Sequence, residues 1–184
     1  ITLPLALGWQ GVPLFFVLSA YLLTAQWQHK ALTAAHVNQY MVRRALRIYP
    51  AVWLQSVVVL CVLPWLPQLW RPLTASELWQ SALLWINMPP TMVAPLNGVW
   101  WTLPIEFGFY LALPLLVWLS RRVGWVPVVV ASFVLTVAWR SAVMVWFAGE
   151  HMVARLPILD ALPGSLATFA AGFALAHAQG RWPP

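Results

Sequence analysis

Long stretches without a single charged side chain restrict what this sequence can fold into more than any other feature. Ala51 to Leu66 is the plainest of them, and nothing in it is charged. About 20 consecutive apolar residues cross a bilayer core as a helix. Five stretches reach or approach that length: Gly8 to Trp27, Ile48 to Leu66, Val99 to Leu119, Trp125 to Phe147 and Leu159 to Ala178. In hydrocarbon the backbone must satisfy its own hydrogen bonds, which a helix does within one segment. The sequence therefore predicts an all-α fold, a polytopic membrane helix bundle with about five transmembrane helices. Ala75 to Asn87 is shorter and carries Glu77, Trp79 and Trp85. It reads as an interfacial or partly re-entrant helix, closed by an irregular loop at Pro89, Pro90 and Pro95.

Composition excludes the soluble alternatives. Only 8% of the 184 residues are charged, against 62% hydrophobic, and the mean hydropathy is +0.77. A soluble domain carries about 25% charged residues, so this chain cannot cover a water-exposed globule. Ten Lys and Arg against four Asp and Glu give a net charge of +6. In a soluble protein that excess would suggest nucleic acid. Here the basic residues flank apolar segments, where they set topology and meet anionic lipid headgroups. Membrane lipid is the expected partner, and nucleic acid is not. Cys61 is alone in an apolar stretch, which leaves no disulfide framework and no thiol-rich metal site. His29, His36, His151 and His177 are scattered without metal-ligand spacing, so no metal is expected.

Charge asymmetry gives the expected orientation. Lys30, Arg43, Arg44, Arg47, Arg121, Arg122 and Arg181 fall on one side, and Arg71 and Arg155 on the other with Glu77, Glu150 and Asp160. The first set belongs in the cytoplasm by the positive-inside rule. The five helices then run from an external start to an internal end. No signal-peptide pattern opens the chain, which begins at Ile1 within an apolar segment and ends at Pro184. We expect residues 1–184 to be part of a single membrane domain in a longer protein, with at least one further span before Ile1. Of the fourteen tryptophans, Trp65, Trp70, Trp79, Trp100, Trp101 and Trp125 fall near span ends, as an aromatic belt requires. Trp100 and Trp101 stand apart from the anchoring group because Glu106 is close by.

Three features point to chemistry. Glu106, in the run Trp100 to Tyr110, falls about two turns into the third stretch. A carboxylate at helix centre costs roughly 2.5–3.5 kcal/mol on insertion scales, so it must be paired, protonated or exposed to a watery cavity. Pro104 is expected to open or kink the helix beside it. Glu106 then either locks two helices through an arginine or serves a reaction. Arg140, in the fourth stretch, is a candidate partner, although it more simply snorkels to the outer surface. The third feature is Tyr40 to Pro50, where Arg43, Arg44 and Arg47 lie three or four positions apart at the membrane boundary. On a helix they share a broad face. Guanidinium forks grip phosphate oxygens in pairs, whereas a topology signal would be satisfied by lysine, of which Lys30 is the sole example. Ser19, Ser56 and Ser132 most simply bond back to their own helix carbonyls.

Three segments in order resemble acyltransferase family 3, the multi-span bacterial O-acyltransferases that modify sugars. They are Gly11 to Leu23 with its Leu-Phe-Phe-Val-Leu-Ser run, the arginine segment Tyr40 to Pro50 followed by Trp53, and Val99 to Pro114 around Glu106. Leu162 to Gly172 is a weaker match to a later helix. Pro13, Ala20 and Thr102 stand where the family usually has Asp, Gly and Ser. The resemblance covers the whole chain but only about half of the family's domain. It implies transfer of an acyl group, commonly acetyl, from acyl-CoA to a carbohydrate hydroxyl, in the inner membrane of a bacterium. It also implies that Arg43, Arg44 and Arg47 bind the CoA phosphates, that Glu106 supports the general base, and that Trp100 and Tyr110 shape the substrate pocket. The base itself is a histidine in the family's first helix, which would precede Ile1. Two other classes stay open on the sequence: a transporter or flippase of a lipid-linked sugar using Glu106, and a catalytically degenerate relative.

Overall fold

The computed structural model describes residues 11–28, 30–62, 65, 74–86 and 98–179. Among these the chain forms helices α1 (Gly11–Trp27), α2 (Ala34–Val62), α3 (Ala75–Ala82), α4 (Leu103–Val123), α5 (Trp125–Trp146), α6 (Met152–Leu159) and α7 (Leu162–Gln179), with a 3-10 turn at Gly98–Thr102 before α4. No strand occurs among the described residues, and the fold is an all-helical membrane bundle. His29, Trp70, Arg71, Pro89, Pro90, Pro95 and Arg181 lie outside the described residues, as do the stretches 1–10 and 180–184.

Each of the five stretches expected to span is mostly helical over its described residues. Among the described residues three helical segments are long and apolar enough to cross a membrane: Ala34–Val62, Trp100–Val123 and Trp125–Trp146. Gly11–Trp27 is a shorter apolar helix of 17 residues. The 18-residue α7 has small residues through its middle and ends in His177 and Gln179.

Aromatic rings and close backbone approach hold the centre together. Phe169 of α7 stacks on Phe109 of α4 at 4.1 Å between centroids and on Phe16 of α1 at 4.5 Å. Three helices thus meet at one ring, in offset contacts that add to the burial of the rings themselves. Along the α1–α7 seam, a Cβ on Gly172 would stand 2.1 Å from the Val17 carbonyl oxygen. Ala20, fully buried, lies against the same glycine. This is the small-residue packing that lets membrane helices approach closely.

The fifth expected span is α7, which begins at Leu162 rather than Leu159; a short separate helix, α6, precedes it, with a turn at Asp160 and Ala161 between them. Pro157 and Pro163 each remove an N–H donor near the turn. A Cβ at Gly164 would sit 1.7 Å from the Leu159 carbonyl oxygen, so the turn is open to glycine alone. Side chains of α5 and α7 donate to carbonyls on both sides of the turn. Trp139 Nε1 donates to Ile158 at 2.8 Å, Ser165 Oγ to Asp160 at 2.8 Å, Thr136 Oγ1 to Pro163 at 2.9 Å and Arg140 Nε to Gly164 at 2.9 Å. At this irregular backbone protein donors take the place of water.

Helix α3 is a short capped turn rather than a span. Thr74 and Glu77 form a reciprocal capping box at its start, which accounts for a carboxylate in an apolar stretch. It is held to α2 by Trp53 Nε1, which donates to the Ala82 carbonyl at 3.0 Å.

Candidate functional site

The 3-10 turn and α4 together set the position of Glu106. Pro104 stands in the first turn of α4, where its missing N–H leaves no bond broken. The helix therefore starts at Leu103 and Glu106 belongs to its first turn. This corrects two expectations: Glu106 is in the first turn of α4 rather than about two turns into a helix, and Pro104 begins the helix instead of kinking it. The physical consequence is favourable, because the positive end of the helix dipole stabilises a carboxylate there. Glu106 is 6% exposed, and the Tyr110 hydroxyl donates to its Oε1 from one turn further along.

Beside Glu106 is a cavity of about 330 Å3 between α2 and the start of α4. Arg47 and Gln55 of α2, with Trp100, Thr102 and Glu106, give it its polar edge, and Val52 and Phe15 are among its apolar walls. Trp100 Nε1 donates to Gln55 Oε1 at 2.8 Å, and Trp100 is only 3% exposed. It is a wall of the cavity, not a membrane anchor. Tyr110 is 1% exposed and is not among the cavity's lining residues. It stands behind Glu106, with Ser19 of α1 close enough to interact with its hydroxyl.

The arginine cluster divides. Arg47 joins Glu106 in the cavity, whereas Arg43 and Arg44 line a second hollow between the end of α1 and the start of α2. The Arg44 guanidinium carbon is 5.6 Å from the ring centroids of both Tyr40 and Tyr110, a cation–π arrangement. The structure sets Arg44 against Tyr110 of α4. The reason is the length of α2. Its 29 residues begin at Ala34, well before the apolar stretch, so its basic half runs alongside α4.

Arg121 itself closes α1: its Nη2 donates to the Trp27 carbonyl at 2.8 Å and to the Lys30 carbonyl at 2.6 Å. Arg140 does not reach Glu106. It pairs with Asp160 at 2.6 Å, bracing the turn before α7. Sequence reasoning did not match that pair, because the two residues lie in separate apolar segments that only packing brings together. It also passed over Gln55, although a lone amide in an uncharged span is itself a signal.

None of the described histidines lines the Glu106 cavity. His177 lies between the rings of Phe173 and Trp125, at 4.5 and 6.1 Å, with Nδ1 2.9 Å from the Phe173 carbonyl. Ser56 and Ser132 each bond to a carbonyl of the preceding turn at 2.8 Å, as expected.

Comparison with known proteins adds an independent line. A family model described as an acyltransferase domain matches residues 1–184. Nodulation protein 10 of Rhizobium leguminosarum bv. viciae is 32% identical over 130 residues, covering 61% of this chain and 34% of that protein. The match thus spans about a third of the relative's own length. No solved structure matches.

Proposed function

The chain belongs to acyltransferase family 3, and we propose that the protein it forms part of is a membrane-bound O-acyltransferase. It transfers an acyl group, acetyl in our reading, from acyl-CoA to a carbohydrate hydroxyl of a cell-surface glycan or a glycosylated metabolite. Its place is the bacterial inner membrane, as a multi-pass protein. One observation carries most of the weight: a buried carboxylate, Glu106, and an arginine, Arg47, line one cavity at the positive end of a helix.

The cavity volume of about 330 Å3 falls at the small end of ligand pockets. It suits an acyl thioester and an incoming hydroxyl, while the rest of CoA lies outside. The hydroxyl oxygen bonds to the thioester carbon and the C–S bond breaks. The hydroxyl proton moves to a general base and from there to the departing thiolate. The family resemblance puts that base on a histidine ahead of Ile1. Glu106 would then orient the imidazole and offset its charge once protonated. Arg43, Arg44 and Arg47 take the phosphates of the donor.

The positions of the family departures fit retained activity. Pro13 is solvent- or lipid-exposed on α1 and Ala20 is packed against Gly172. Neither is among the residues lining the cavity. Thr102 does line it and keeps the hydroxyl of the usual serine. A transporter reading calls for a second intramembrane carboxylate and a broken helix. Asp160 and the α6–α7 turn have that look, but Arg140 holds the carboxylate and protein donors hold the carbonyls of Ile158, Asp160, Pro163 and Gly164. Among the described residues these groups are thus engaged by protein donors rather than gathered around an ion.

The test is acetyl transfer by the full-length protein in native membranes, followed as label moving from acetyl-CoA into carbohydrate. Glu106→Gln should lower the rate at least about 100-fold in a variant that still folds and unfolds cooperatively. Transfer at the wild-type rate in that variant, or no acetyl-CoA-dependent labelling by the wild type, would overturn the proposal.

A further inference from the structure

The cavity at Glu106 differs between its two ends. Arg47, Ala51 and Gln55 line it at four-residue steps along α2, so Arg47 and Gln55 are about 12 Å apart in helix rise. One end of this wall carries a fixed positive charge and the other a neutral amide. Charge draws an anionic donor to the first end. The second is left for a neutral partner.

Gln55 is out of place in its own stretch. Nothing charged occurs from Ala51 to Leu66, and its neighbours Leu54 and Val58 are more than half exposed. A polar side chain in such a stretch faces a bundle interior or a watery cavity and marks a substrate path. Gln55 is itself exposed and lines the cavity, so a ligand there can reach its amide.

The bond to Trp100 fixes how that amide is turned. An indole N–H can only donate, so Trp100 Nε1, at 2.8 Å, faces the amide oxygen and not the nitrogen. Trp100 is buried and holds the oxygen in place. The amide NH2 is thereby turned away from Trp100, and the Gln55 side chain makes no other hydrogen bond among the described residues. A partner for an indole need not be an amide. Backbone carbonyls serve Trp53 and Trp139, at Ala82 and Ile158. What glutamine adds at this position is a pair of N–H donors beside the cavity.

We propose that Gln55 recognises the acceptor: its amide NH2 donates to a carbohydrate hydroxyl next to the one that is acylated, and so selects which hydroxyl reacts. The proposal rests on the acyltransferase reading. The reacting hydroxyl gives its proton to the base, and an N–H donor on the same oxygen would withdraw the electron density that attack requires. A neighbouring hydroxyl has no such conflict. It accepts from Gln55 Nε2 while the reacting oxygen faces the thioester. Trp100 is then a positioning residue, because it acts on the sugar only through the amide it holds.

The experiment uses the full-length protein in phosphatidylcholine nanodiscs. Saturation-transfer NMR titrations measure binding of methyl glucoside, galactoside, rhamnoside and N-acetylglucosaminide, then of the monodeoxy analogues of the tightest binder. Calorimetry measures acetyl-CoA. In the wild type, removal of one particular hydroxyl should weaken binding roughly three- to tenfold, the effect of a neutral hydrogen bond. Gln55→Met keeps an unbranched side chain and cannot donate. It should bind the parent glycoside more weakly by the same factor and no longer distinguish it from that deoxy analogue, with wild-type affinity for acetyl-CoA. Trp100→Phe frees the amide without removing it and should lose part of the discrimination. A purely structural Gln55 would weaken parent and deoxy sugars alike. No glycoside binding by the wild type, or unchanged discrimination in Gln55→Met, would overturn the proposal. Binding needs no turnover, so the expected pattern without acetyl transfer would count against the acyltransferase reading and leave sugar recognition by Gln55 standing.

Discussion

Glu106 takes its character from the residues around it. The dipole of α4 favours its charge, Tyr110 occupies one of its oxygens, and Arg47 shares its cavity. Tyr110 is therefore a positioning residue: it does not line the cavity, but it fixes the carboxylate that does. Tyr110→Phe should cost about 1.5–3 kcal/mol, the range for a hydrogen bond to a charged group, and thermal unfolding of the purified protein would show it. Combined with Glu106→Gln, the loss should be clearly less than the sum of the single losses, because the two side chains share one interaction. Additive losses would mean that the pair does not act as a unit. The expense of Glu106 was legible in the sequence, and so was the shared helix of the arginines. The division of the arginines between two spaces was not, because positions three and four apart share a helix face without sharing a neighbour.

At the scale of elements, the seam between α1 and α7 and the turn before α7 place the walls of the bundle. Gly172 is the contact point, with the Val17 carbonyl oxygen where a Cβ would go. Gly172→Ala should therefore destabilise the protein by about 1–3 kcal/mol through overpacking. Gly108→Ala is a control, because its Cβ would meet the flexible end of Leu162 at 3.2 Å, and it should cost clearly less. Equal midpoints for the two variants in detergent would contradict this packing. The Gly- and Ala-rich composition from Leu159 onward pointed to close packing, and the structure names the partner. The short helix α6 escaped the sequence because Pro157 sits within an apolar run, and only the packing of α5 and α7 shows how the carbonyls at the Asp160 turn are satisfied. The start of α4 was misjudged for a similar reason. A proline in a first turn and a proline that kinks a helix look alike in sequence, and only the 3-10 turn before Leu103 distinguishes them.

For the whole molecule, the described helices carry many large apolar side chains on their outer faces. Leu54 and Val58 on α2 and Phe133 and Val134 on α5 are more than half exposed, at 68%, 51%, 61% and 59%. Such a surface belongs against lipid chains. Val134→Arg, near the middle of α5, should add roughly 2.5–3.5 kcal/mol to the insertion cost and reduce the yield of membrane-inserted protein. Undiminished insertion would mean that this face is not in hydrocarbon. Arg140 escapes the same cost because Asp160 and the Gly164 carbonyl receive its charge. The sequence by itself determined the solvent of this protein, its helical class and the residues expensive enough to need a purpose, since hydropathy and charge are summed along the chain. Only the tertiary structure decided which of those residues meet. It put Glu106 with Arg47, Asp160 with Arg140, and Arg43 and Arg44 around a hollow of their own. The physical reason is that side-chain direction depends on where each helix begins and how close its neighbours come. Both are set by packing across the bundle rather than by spacing along the chain.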